Sequence, residues 1–235
     1  MSDPLPSTSA PATQADRSNV TDAVRVQILA TEHWSLLATR SMTWNEVFSR
    51  ASMFITVLSA AVVALALVAQ ATGFGPGFRV FALLVLPVVL LVGVATIIRL
   101  GDANSDDFWL VSGMNRLRHG YLELAPELEP YFITAHNDDE VSTMLSYGPD
   151  ARLRLSRFLA GTPNLVAAIN IVVAGVLAAL IADTLGASDV VDVVVGVLCA
   201  LVATVCFGFF AYRTIAAVRR SHHPHFPQKA GEPRR

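Results

Sequence analysis

The chain has 235 residues, 53% of them hydrophobic and 15% charged, and a mean hydropathy of +0.51, which is too apolar for an ordinary soluble domain. A formal net charge of −2 excludes a strongly basic nucleic-acid binder, and no nucleic-acid partner is expected. Cys199 and Cys206 lie inside one apolar run, which excludes a secreted disulfide scaffold and marks both as small packing residues.

Residues 1–19 are rich in Ser, Thr, Pro and Ala, carry Asp3 and Asp16, and have no apolar core. They read as a disordered leader and not as a signal peptide. An amphipathic arm follows over 20–42, with Val20, Val24 and Ile28 as a short stripe, then Trp34, Leu36, Leu37 and Met42 in looser order. Two placements fit this arm. It lies on the membrane surface with Trp34 and Trp44 at headgroup depth, or it packs on the middle of the chain.

Thr43-Trp44-Asn45-Glu46 has capping-box spacing and predicts a helix start just before the first span. Four charge-free apolar runs then appear: Ala51–Phe78, Val80–Ile98, Phe158–Ala182 and Val193–Tyr212. Crossing the hydrocarbon takes about 20 residues of helix, and each run is near or above that length. The valines between Val190 and Val197 would suit a strand by propensity, but the run continues past strand length to Tyr212. An open lipid-facing sheet would also leave backbone groups unsatisfied.

The predicted fold is therefore an all-α integral membrane protein with four transmembrane helices in two hairpins, over 43–98 and 163–212. A small helical cytoplasmic segment over 99–162 joins them, and a flexible tail occupies 213–235. Gly73, Gly75, Pro76 and Gly77 make the first turn, and Pro87 should bend the second span, in a structural role.

In the middle segment, Asp106–Leu124 reads as an amphipathic helix that begins after the span ends at Arg99–Gly101. Phe108, Val111 and Tyr121 lie on its apolar side with Met114 or Leu117, and Arg116 and Arg118 are more exposed. Pro126 and Pro130 interrupt the pattern around Glu127 and Glu129. Asn137-Asp138-Asp139-Glu140 is a second capping-box candidate, read as a solvated start for a short helix that Gly148–Pro149 stops. Arg152, Arg154 and Arg157 precede the third span, where Thr162 is the expected cap and Pro163 the first helical residue. Asp189 and Asp192 fall in the first turn of the fourth span, where free N–H groups favour carboxylates.

Of 17 Arg and Lys residues, only Arg79 lies in a turn between paired spans. The positive-inside rule then places both termini and the middle segment in the cytoplasm, with turns 73–79 and 183–189 outside.

No ionisable residue interrupts the four runs, which argues against a proton-coupled carrier. Asn170 is the most prominent polar group in a span, either bonding between helices or lining a pathway. Ala60 and Ala64, Gly175 and Ala179, and Gly196 and Ala200 have the small-residue spacing that lets helices approach closely, within the bundle or in a homo-oligomer. His136 beside Asp138–Glu140 lacks calcium-loop spacing, and Pro126 separates Glu123 from Glu127 and Glu129. His222, His223 and His225 flank Pro224 in a tail without an organised site. No phosphate loop or nucleophile–histidine motif is present, so no catalytic residue, cofactor or metal site is assigned. The expectation is a non-enzymatic membrane protein with a cytoplasmic interaction surface including Arg116, Arg118, Glu123 and Glu127. The two arginines would meet those acids or anionic headgroups. Membrane lipids, a cytoplasmic protein and a second copy are the expected partners. The alternative is a small oligomeric channel or transporter.

The stretch Glu32-His33-Trp34-Ser35-Leu36-Leu37-Ala38-Thr39-Arg40-Ser41, then Thr43-Trp44-Asn45-Glu46, resembles conserved, uncharacterised multi-pass membrane proteins of high-GC actinobacteria. Gly113-Met114-Asn115-Arg116-Leu117-Arg118-His119, with Tyr121 and Leu122-Glu123-Leu124-Ala125-Pro126-Glu127, is similar to the same group. The resemblance implies an actinobacterial plasma membrane and brings no active-site residue with it.

Overall fold

The computed structural model describes residues 21–148 and 161–228. The expected leader over 1–19, the arginines at 152, 154 and 157, and the chain end over 229–235 lie outside the described residues. Helix α1 is Asp22–Thr72 and α2 is Pro76–Leu124. A 3₁₀ turn over Pro126–Tyr131 leads to α3, Glu140–Leu145, and the chain then forms α4, Thr162–Thr184, and α5, Asp189–Ser221. Four of these helices are long and apolar enough to cross a membrane, and the described residues contain no strand. The fold is an all-α membrane bundle of two helical hairpins.

α1 has 51 residues and α2 has 49. At ~1.5 Å per residue each is roughly 75 Å long, more than twice the ~30 Å of hydrocarbon. The first hairpin therefore crosses the membrane and continues out of it as a two-helix stalk. This corrects two expected boundaries. Thr43 is no cap; its hydroxyl donates to the Thr39 carbonyl at 3.0 Å in mid-helix. No Gly or Pro interrupts Asp22–Thr72, so nothing frees the backbone N–H groups that a capping box would serve. Likewise α2 runs through Gly101, where a lone glycine costs only about 1 kcal/mol in a helix. The Phe210 ring of α5 sits 3.3 Å from where a Cβ on Gly101 would stand.

Gly73 at φ 62° and Gly186 at φ 85° end α1 and follow α4 in left-handed conformations that suit glycine. The two turns lie side by side, because Arg79 Nε is 2.8 Å from Asp183 Oδ2. The single basic residue of the turns is thus ion-paired.

α2 is the central helix and packs on α1, α4 and α5. Phe54, Ala61, Leu86, Val89, Ile97, Val166 and Val173 fill the bundle core. Between α4 and α5 the backbones touch: a Cβ on Gly175 would lie 3.0 Å from the Gly196 carbonyl oxygen, and one on Gly196 would lie 3.2 Å from Ala179 Cβ. Two of the three small-residue pairs therefore form this interface, while Ala60 of the third is exposed. α2 remains helical through Pro87. α4 starts one residue early, with Gly161 at the cap and Pro163 in the first turn.

Candidate functional site

Outside the spans, α1 and α2 stay paired. Leu29, His33, Leu36, Arg40, Trp44 and Val47 recur every three or four residues and form the inner face of the α1 stalk. Leu36 fits against Gly113 and Leu29 against Gly120, where a Cβ would come within 3.1 and 3.3 Å of their methyls. His33 meets Tyr121 at 6.1 Å between ring centroids, and Val47 packs with Leu100 and Ala103. Of the two placements for the arm, packing on the middle segment is the one observed. At the base of the stalk, Glu46 accepts from Arg99 Nη2 and Arg50 Nε, both at 2.8 Å. These hydrogen bonds, Arg99 first, hold its carboxyl down at about 2.

The stalk is locked by Asp107, which is 3% exposed. Its carboxylate accepts from Arg40 Nε at 2.6 Å and Nη2 at 3.2 Å, from Trp44 Nε1 at 2.8 Å, and from Tyr147 Oη at 2.8 Å. A buried carboxylate with four donors is satisfied, and losing them would leave an expensive bare charge. The hydrogen bond to Asp107 raises the Arg40 pKa. Burial, then the Asp107 charge, pushes the Tyr147 phenol above its ordinary value. Sequence reading missed Asp107, although one signal was present: it interrupts the buried series Leu100, Ala103, Val111 and Met114 at helical spacing.

A second buried carboxylate organises the head, which is residues 125–148 with the 3₁₀ turn and α3, packed on α2. Asp138 is fully buried and accepts from Arg116 Nε at 2.6 Å and from the backbone N–H groups of His225 and Phe226, both at 2.8 Å. Burial pushes its pKa up, but the two N–H donors and Arg116 outweigh that and hold it below the usual range. Asp139, not Asn137, caps α3 by accepting from Ser142 N at 3.0 Å, and it also takes Gln228 N at 3.1 Å. Asn115, fully buried, donates to the Asn137 carbonyl at 2.9 Å. The solvated acidic helix start expected from sequence is instead the core of the head.

The flexible tail expected from residue 213 is corrected as far as residue 228. α5 continues to Ser221, and the next residues lie on the head. His222 Nε2 donates to the Asp138 carbonyl at 2.6 Å, and its ring contacts Phe108 and Trp109 at 5.1 and 5.4 Å. Phe226 stacks on His119 at 4.3 Å, and Arg219 pairs with Glu140 at 2.8 Å.

Arg116 and Arg118 are both drawn into this structure and are not on an open face. Neither meets Glu123 or Glu127. Glu123 lies 3.7 Å from His119, and Glu127 is exposed in the 3₁₀ turn. Arg118 donates to Asn115 Oδ1 at 2.7 Å and has no carboxylate partner among the described residues. Burial and the Arg40 charge lower its pKa. Because Arg118 is a half-buried cation without an acid, Arg118→Met should leave thermal stability unchanged or raised. Arg116→Met removes the counter-charge of the buried Asp138 and should cost about 2–3 kcal/mol, less than a fully buried pair because Arg116 is partly exposed and the two backbone donors remain. Equal losses in the two variants, measured by thermal unfolding in nanodiscs, would contradict this assignment.

Acid should weaken the stalk and head in two steps. Burial, then Arg118, lowers the pKa of His33, so below about pH 6.5 the unfolded chain takes up a proton that the folded chain resists. Stability falls as pH drops through that window. Glu46, Asp138 and Asp139 are depressed, so their contribution is complete above the ordinary carboxylate range and is lost as pH falls through their folded values. Melting temperature measured from pH 8 to pH 3 should be flat above pH 7 and decline twice. His33→Gln should remove the first decline, and its persistence there would contradict the assignment.

Asn170 is fully buried, but it bonds within its own helix, donating from Nδ2 to the Val166 carbonyl at 3.0 Å. A Cβ on Gly93 would overlap the Asn170 amide, so the two residues form the contact point of α2 and α4. The expected interhelical hydrogen bond is replaced by steric fit.

A cleft of about 460 Å³ opens on the head, lined in part by His119, Glu123, Glu129, His136, Asn137 and Gln228. Among the described residues no group of three His, Cys, Asp or Glu side chains is placed to hold a metal ion. No protein-family model, curated protein or solved structure matches the chain.

Proposed function

We propose that the protein is a non-enzymatic interaction protein of an actinobacterial plasma membrane, holding its stalk and head in the cytoplasm for a protein partner. The observation that carries this reading is the stalk and head themselves. Two long helices continue well beyond the spans, and the buried carboxylates of Asp107 and Asp138 fix what they carry. Far along the chain from the spans, Ile133 is 99% exposed, Tyr131 79% and Trp34 71%, apolar side chains that a partner would cover. The placement of all the Arg and Lys residues but Arg79 outside the turns between paired spans supports the orientation. The channel alternative has less support, since Asn170 is closed against Gly93.

The test is purification in native lipid of the intact chain and of a Trp34→Glu, Tyr131→Glu, Ile133→Glu triple variant. The intact chain should retain a stoichiometric subunit that the variant loses while keeping its helical content. A chain that purifies alone in both forms would contradict the reading. A reporter fused after Arg235 should report cytoplasm, and external labelling there would overturn the orientation.

A further inference from the structure

We infer that the acidic turn at residues 137–140, with Arg116 and His119, is a peptide-binding site, filled in this structure by the chain's own segment from Pro224 to Gln228. Its ligand class is a short proline-bracketed segment that offers two successive N–H groups and an aromatic ring. The inference rests on the reading of the head as an interaction surface.

The backbone chemistry of the segment carries the point. Pro224 and Pro227 have no N–H, so residues 224–228 offer three: those of His225, Phe226 and Gln228. All three are used by the acidic pair. His225 N donates to Asp138 Oδ2 at 2.8 Å, Phe226 N to Asp138 Oδ1 at 2.8 Å, and Gln228 N to Asp139 Oδ2 at 3.1 Å. A return bond runs from Asp138 N to the Phe226 carbonyl at 3.3 Å, which fixes the register. Arg116 bridges the two partners, with Nε on Asp138 at 2.6 Å and Nη2 on the His223 carbonyl at 3.4 Å. The only side chain in this segment that stacks on the head is Phe226, lying on His119 at 4.3 Å.

Recognition through main-chain donors and one ring does not depend on the covalent link to α5, so the site would take a similar segment from another molecule. Among the described residues Phe226 N is the only donor to Asp138 Oδ1, so withdrawal of the segment exchanges that hydrogen bond for water, and another segment with the same two N–H groups can restore it. The segment itself is held at the surface, with Pro224, His225 and Pro227 exposed. It acts as a strap that a competing peptide can replace, against the high effective concentration that tethering confers.

The test uses the full chain in nanodiscs and a fluorescent peptide of residues 221–228, read by anisotropy. In the His225→Pro, Phe226→Ala variant, which loses one N–H donor and the ring, the peptide should bind at least tenfold more tightly than to the intact chain. Adding Asp138→Asn should abolish that gain. Equal binding to the intact and opened chains, or none to either, overturns the proposal. An independent reading needs no variant: amide exchange at Phe226 and Gln228 of the intact chain should be slow and should accelerate with excess free peptide. Unchanged exchange at high peptide also overturns it. A chain that fails to take the peptide but still holds a subunit through Trp34, Tyr131 and Ile133 removes the strap alone. A chain that takes the peptide but never holds a subunit removes the interaction reading and leaves the peptide site.

Discussion

Asp107→Ala should be among the most damaging single substitutions outside the membrane. It removes the acceptor for Arg40, Trp44 and Tyr147 together, and leaves a cation and two polar donors facing a site only 3% exposed. The stranded Arg40 is partly exposed, which brings its share below that of a fully buried charge, and the unpaired Trp44 and Tyr147 donors add theirs, for a total of about 3 kcal/mol. For a chain of this size that is a fall of about 10 °C in melting temperature. Asp107→Asn keeps one acceptor oxygen of the same shape and should lose less. Because the network joins α1 to α2 and to Tyr147, protease cleavage in the stalk should rise in Asp107→Ala before the spans unfold. A variant that melts with the intact chain would show that the arm is not docked through this carboxylate.

The second large effect lies in the membrane. Gly93→Ala adds one methyl group where the Asn170 amide already stands, so either the buried Asn170 side chain gives up its bond to the Val166 carbonyl or α2 and α4 move apart. Overpacking of this kind costs about 1–3 kcal/mol. The cause can be separated from helix propensity, because Ala favours a helix over Gly and on that ground alone should stabilise. Asn170→Ala makes room for the new methyl group. The double variant Gly93→Ala, Asn170→Ala should therefore be more stable than Gly93→Ala alone, a non-additive result expected only for residues in contact. Strict additivity in thermal unfolding would remove Gly93 and Asn170 as the contact point.

The spans were legible because their signal is local. A charge-free run near 20 residues needs no knowledge of the rest of the chain, and the Gly-Pro cluster at 73–77 and the Gly at 186 mark the turns. The small pairs Gly175/Ala179 and Gly196/Ala200 were legible for the same reason, and their backbones do touch. What stayed hidden depends on distant partners. Thr43 and Glu46 have the spacing of a cap, yet that spacing has meaning only where a helix begins, and Glu46 serves Arg99, 53 residues away. Asp107 and Asp138 each sit beside another acid, a pattern that looks solvated. Their burial is decided by Arg40, 67 residues from Asp107, and by a tail 87 residues beyond Asp138. Arg116 and Arg118 looked alike in sequence, but only Arg116 finds a carboxylate. The spacing of Pro224 and Pro227 was visible, but its consequence was not, because the acids it serves lie on another element.

On the proposed function, the membrane bundle holds a stalk and head for a partner. A density map of the chain purified in native lipid tests it most directly. An additional subunit is expected on the head, over the region of Tyr131 and Ile133, with a closed bundle whose interior is filled at Gly93 and Asn170. A continuous water-filled passage through the bundle or along an oligomer axis, with the head bare, would contradict it.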